Sequence, residues 1–180
     1  IEVISCVSGG SIIGAYYYLK LALLFEQKKD NEIVQEDYIQ IVREIETEFL
    51  AAVKNDIRGK LFVNPIENLR MAFDKNYSRT NRLAKLYERY FYKDLFEKIL
   101  QQRRARGMER DWKGPIRMRD LFIFPQDYAI GDFNPIRDNW KRKNKVPNLI
   151  LNATALNTGH NWQFTASWMG EPPGNIVKEV

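Results

Sequence analysis

Ser8 is the residue whose surroundings most suggest chemistry. It lies in I-S-C-V-S-G-G-S-I-I-G, residues 4–14, between a short β-branched run and a long apolar one. A serine hydroxyl is a weak nucleophile unless a base takes its proton and donors stabilise the oxyanion that forms. A sharp turn from strand to helix does part of that work. It pushes the serine out of the backbone and aims free helix N–H groups at a carbonyl oxygen. Such a turn strains the backbone and needs small neighbours, a need that Gly9 and Gly10 meet. The usual spacing is G-x-S-x-G; here Cys6 stands in the first glycine's place and Gly10 in the last. Two other uses of S-G-G-S are a plain turn between core elements and a phosphate-cradling loop, but neither G-x-G-x-x-G nor the Lys-Ser/Thr of a nucleotide loop is present.

A nucleophile requires a base. His160 is the only histidine and sits in an N-T-G-H-N turn. A Ser-acid-His chain order would draw on Asp127, Asp132 or Asp138 for the acid. With Cys6 the only cysteine, there is no His/Cys cluster, so no metal and no cofactor are expected. The lone cysteine also forms no internal disulfide, which favours a reducing compartment and a cytoplasmic or peripheral-membrane place, while localisation itself stays open. Lys and Arg number 28 against 23 Asp and Glu, a net charge of +5. The excess gathers at Arg103, Arg104, Arg106 and Arg110 and at Lys141, Arg142, Lys143 and Lys145. Such clusters serve either as solvated surface or as contacts to anionic lipid headgroups; no nucleic-acid partner is expected.

The elements that must position Ser8 follow from the pattern around it. I-E-V-I-S reads as a buried strand. The stretch from Ser11 to Lys29 reads as a core helix, with Ser11 as its cap and Lys28 and Lys29 at its negative end. Its uncharged runs are broken by Lys20 and fall short of the roughly 20 residues a bilayer span needs. Tyr16, Tyr17 and Tyr18 point in different directions on a helix and are expected in the packing. Apolar residues at spacings of three and four mark a helix over 32–55, a shorter one around I-E-N-L-R-M-A-F, and a third over 80–101 capped by Ser78. Between 102 and 145 the one strand candidate is R-M-R-D-L-F-I-F. After Pro147, two extended segments flank the N-T-G-H turn as a β-hairpin, with Trp162 and Trp168 on its second arm. Together these predict one α/β layered domain over 1–180: a strand–turn–helix at 1–30, helices at 31–115, and strands at 116–180. The start at Ile1 in strand character and the unclosed end at Val180 read as part of something longer.

S-C-V-S-G-G-S-I-I-G-A-Y-Y-Y-L at 5–19, with L-N-A-T-A-L-N-T-G at 151–159 and Q-F-T at 163–165, resembles the patatin-like phospholipases. The two matches bracket nearly the whole chain, and the helices between them are only loosely similar. The resemblance implies a three-layer α/β/α sandwich, here partial and with a helical insertion. It also implies a Ser–Asp dyad without histidine, acting on lipid or phospholipid esters. By position Ser8 is the nucleophile and Gly9 an oxyanion donor. The family's other oxyanion donors lie in a glycine-rich loop before the nucleophile strand, ahead of Ile1. Its aspartate lies in an Asp-Gly pair, which these 180 residues lack; Asp132, in G-D-F, has the reverse order. The dyad aspartate is therefore expected beyond Val180. Two other classes stay open: a non-catalytic lipid- or protein-binding module, and an α/β-hydrolase esterase using His160.

Overall fold

A computed structural model describes residues 1–54, 59, 65–74, 78–108 and 114–172, with the side chains of 67 and 70–72 excepted. The β-branched opening forms strand β1, Val3–Val7, and the chain turns at once into helix α1, Gly10–Gln27. Helix α1 is apolar almost all round, and such a helix is stable only when enclosed. Tyr16, Tyr18, Leu19, Leu21, Ala22, Leu24 and Phe25 are accordingly buried in the core. No described helix is long and apolar enough to cross a membrane.

The amphipathic run after α1 becomes α2, Gln35–Glu44, a π-helical turn at Ile45–Phe49, and α3, Leu50–Val53. Helix α4 spans Pro65–Phe73. Helix α5, Arg79–Tyr87, is capped by Ser78 as expected, then passes through a second π turn, Glu88–Tyr92, into α6, Lys93–Ala105. Leu95, Phe96, Ile99 and Leu100 of α6 are buried in the same core as α1. After a short helix α7, Pro135–Asp138, come β2, Asn148–Thr154, β3, Asn161–Phe164, and β4, Met169–Gly170.

The sheet is mixed, in the order β1-β2-β3-β4. β1 runs parallel to β2, in register from Val3 with Asn148 to Val7 with Asn152. A parallel pair requires a long crossover, and the helices form it. β2–β3 is the expected antiparallel hairpin. Ile4 and Cys6 face the core beneath α1, while Val3 and Val7 on the other face remain 51% and 65% exposed. No described element covers the sheet there, so what is established is a mixed α/β architecture with helices on one side of β1.

Three expectations are corrected. Ser11 does not cap α1, because Gly10 is already helical and Gly9 is the N-cap, without a side-chain hydrogen bond. R-M-R-D-L-F-I-F is not a strand. It holds a 3₁₀ turn at Met118–Asp120, and side chains take its backbone groups. Arg103 donates to the carbonyls of Asp120 and Phe122, Arg106 to that of Phe124, and the Phe124 N–H donates to Glu26. With those groups engaged, the segment has no ladder to offer. Finally, the basic clusters are not continuous patches. Arg103 and Arg142 are 2% and 4% exposed. Arg103 forms an ion pair with Glu26 at 2.7 Å, and Arg142 forms one with Asp127 at 2.7 Å. Lys145 caps the Asn139 and Trp140 carbonyls, and Arg110 lies outside the described residues.

Candidate active site

Ser8 follows β1 directly and adopts φ 52°; it is the one described non-glycine residue with positive φ. That left-handed conformation costs an L-residue roughly 1–2 kcal/mol. The chain returns to right-handed backbone at Gly9, with φ −58° and ψ −29°. The reversal throws the Ser8 side chain outward, where the residue is exposed. The Ser8 and Gly9 carbonyls accept from the N–H groups of Ser11 at 3.0 Å and Ile12 at 3.2 Å, which starts α1. Gly9 and Gly10 have no backbone acceptor for their own N–H groups among the described residues. The first amides of a helix are orphaned in this way, and with the helix dipole they favour negative charge. A Cβ on either glycine would meet nothing within 4 Å. The space above the turn is open, as an approaching carbonyl requires.

Two further contacts hold the turn, and both were missed from sequence. Asn152, opposite Val7 on β2, donates to Ser5 Oγ at 2.9 Å and to the Cys6 carbonyl at 3.0 Å. Its oxygen accepts from Asn161 and Gln163, each at 3.2 Å, so the amide's capacity is fully used. A polar residue in the middle of L-I-L-N-A-T was the available signal. On the helix side, a Cβ at Gly14 would overlap the Cys6 sulfur. Gly14 is therefore the glycine that lets α1 close onto β1, a role known from other strand–turn–helix units. Burial pushes the Cys6 thiol pKa above its ordinary value, so Cys6 stays protonated and acts as packing.

No described carboxylate or imidazole hydrogen-bonds the Ser8 hydroxyl. Asp127 instead pairs with Arg142 and accepts from the Asp30 N–H, beyond the far end of α1. At 1.5 Å per residue that helix is about 27 Å long. Asp138 pairs with Arg137 ahead of β2, and the Asp132 carbonyl accepts from the same arginine. His160 lies in the β2–β3 turn, at the same end of the sheet as Ser8, because β1 and β2 are parallel. Its Nδ1 is 3.1 Å from Glu171 Oε2, and Glu171 also accepts from Thr158. Those hydrogen bonds, that of His160 first, hold the Glu171 carboxyl below its usual range. Nothing in the pattern around Glu171 marks it as this partner. The described residues contain no group of three or more His, Cys, Asp or Glu placed to hold a metal.

No family model, no curated protein and no solved structure matches the chain. Fold and site together define a mixed α/β protein with an exposed serine on a strained strand-to-helix elbow.

Proposed function

We propose that the chain carries the nucleophile of a serine acyl-ester hydrolase acting on lipid esters, of the patatin-like phospholipase kind. The finer fold belongs to the same reading: a partial α/β/α sandwich whose second helical layer would lie over Val3 and Val7. The observation that carries the proposal is the positive φ of Ser8 at the end of a parallel strand. Strain of this type persists where the surrounding structure enforces it, and it concentrates at reactive positions.

In the proposed reaction Ser8 Oγ attacks the ester carbonyl carbon while a base takes its proton. The Gly9 N–H faces the oxyanion. The carbon–oxygen bond to the alcohol then breaks, and the alcohol leaves with the proton. Water attacks the acyl-serine, releasing the fatty acid and restoring the hydroxyl. The base is an aspartate outside these 180 residues, and so are the remaining oxyanion donors. Basic side chains left exposed, such as Arg104, Lys141 and Lys143, are available for anionic headgroups.

A fluorophosphonate probe should label the full-length protein at Ser8, and Ser8→Ala should abolish both labelling and esterase activity. Activity retained by the alanine variant would remove the proposal. Charge-dependent liposome binding without labelling would instead favour a binding module. The His160–Glu171 pair supports a second reading, with His160 as the base. It requires residues 1–180 alone to turn over esters and His160→Ala to stop them; the dyad reading expects an inactive 180-residue chain.

A further inference from the structure

A cavity of about 370 Å³ begins one helical turn from Ser8. Its α1 wall is Ser11, Ile12, Ala15 and Leu19. The Ser11 N–H donates to the Ser8 carbonyl, so this wall starts at the elbow itself. From Ser11 to Leu19 the wall runs about 12 Å along the helix. Leu151, which also lines it, is the register partner of Cys6. The opposite walls come from Tyr87, just before the second π turn, and Tyr92, its last residue, and from Met118 and Leu121. π turns recur at functional sites because they displace side chains from the regular helical face.

Two of the polar side chains in these walls are turned to backbone groups of the walls themselves. Tyr92 donates its hydroxyl to the Ile12 carbonyl at 3.1 Å, and burial pushes its phenol pKa above the usual value, so it stays a donor. Glu88 accepts from the Ile116 N–H at 3.2 Å. What remains facing the cavity is mostly hydrocarbon. A polar ligand would find few partners there, whereas an alkyl chain would gain about 0.8 kcal/mol per methylene buried. A methylene takes up about as much room as a water, roughly 30 Å³. The cavity therefore accommodates a chain on the order of ten carbons.

We propose that this cavity receives the acyl chain of the ester whose carbonyl meets Ser8, with Ala15 setting how long a chain fits. The proposal rests on Ser8 as nucleophile for the orientation of the chain, but not for its binding. It assigns the crossover helices a direct part in substrate selection.

The test uses full-length protein carrying Ser8→Ala and a dodecanoic acid with a terminal diazirine. Irradiation should crosslink residues within 84–92 and 115–121, and unlabelled dodecanoate should compete. Crosslinks confined to other segments, or none, would overturn the cavity assignment. In protein retaining Ser8, Ala15→Trp should lower the kcat/KM ratio of dodecanoyl over butanoyl p-nitrophenyl ester at least tenfold. An unchanged ratio would also overturn it. If Ala15→Trp fails to fold, Ala84→Trp on the facing wall makes the same test. The crosslink reports on the cavity whether or not Ser8 is a nucleophile. Fluorophosphonate labelling of Ser8 combined with acyl crosslinks elsewhere would remove this inference and leave the Ser8 reading intact.

Discussion

At the scale of single residues, Cys6 and Gly14 have to be considered as a pair. The usual elbow has glycine where Cys6 stands, and the larger side chain leaves no room for a Cβ on the helix above. Gly14→Ala should therefore destabilise the protein by about 1–3 kcal/mol through overpacking, measured by urea unfolding. In a Cys6→Gly background the same change should become neutral or stabilising, since alanine is the better helix former by about 1 kcal/mol. A penalty that persists in that background would mean Cys6 is not the obstacle. The strand-to-helix turn at Ser8 was legible in the sequence because serine, glycines and the flanking apolar runs are contiguous. Gly14, Asn152 and Glu171 were not, because each acquires its role from a partner that only folding brings near. Asn152 meets Cys6 across two strands, and Glu171 meets His160 across a hairpin.

At the scale of elements, the segment 117–125 shows how a strand-like sequence is diverted. F-I-F has the composition of a strand, yet its hydrogen bonds go to Glu26, Arg103 and Arg106. Those partners come from the ends of α1 and α6, which the local pattern does not mention. The Glu26–Arg103 pair, with side chains 0% and 2% exposed, is the hub of this arrangement. Glu26→Ala leaves a buried guanidinium without its counter-charge and should cost about 3–5 kcal/mol, read from chemical denaturation. The double variant Glu26→Leu with Arg103→Met should recover part of that loss, since no charge is stranded. It should not recover all of it, because Asp120, Phe122 and Phe124 lose their partners. The long helices were legible because their apolar spacing is regular. The two π turns were not: each is one widened turn inside a longer helix, and no residue type marks where the extra residue is accommodated.

For the molecule as a whole, charge is used mainly to dock helices. Lys20, 6% exposed, lies between Glu44 at 2.8 Å and Glu48 at 2.6 Å, and Tyr16 donates to Glu48 at 2.6 Å. Burial alone would raise the carboxyl pKa values of Glu44 and Glu48, but the hydrogen bonds from Lys20, those from Gln40 and Tyr16, and the Lys20 charge together outweigh it and hold both below their usual range. Asp30 is held down in the same sense by the N–H groups of Asn144 and Lys143, again against burial. A carboxyl lowered in the folded state stabilises above its unfolded value, about 4, and loses that contribution as pH falls through the folded value. For Lys20 burial alone would lower the pKa, yet hydrogen bonds to Glu44 and Glu48 raise it. Its contribution is present below about 10.4 and fades as pH rises through the folded value. Melting temperature should therefore fall on acidification below about pH 4. Lys20→Met should lower it at neutral pH and flatten the acid dependence, because Glu44 and Glu48 then titrate near their ordinary values. An acid slope that survives in Lys20→Met would assign it to Asp30 and its neighbours.

The parallel pairing of β1 with β2 has a consequence in time as well as in space. Val3 pairs with Asn148 across the whole helical crossover, and closing so long a loop is entropically costly and slow. Until then Asn152 cannot reach the Cys6 carbonyl, and the left-handed turn at Ser8 has nothing to enforce it. The helices, built from local contacts, can form first. Ser8 therefore takes up its left-handed backbone late, so a chain still emerging or only partly refolded carries the residue without the turn that projects it.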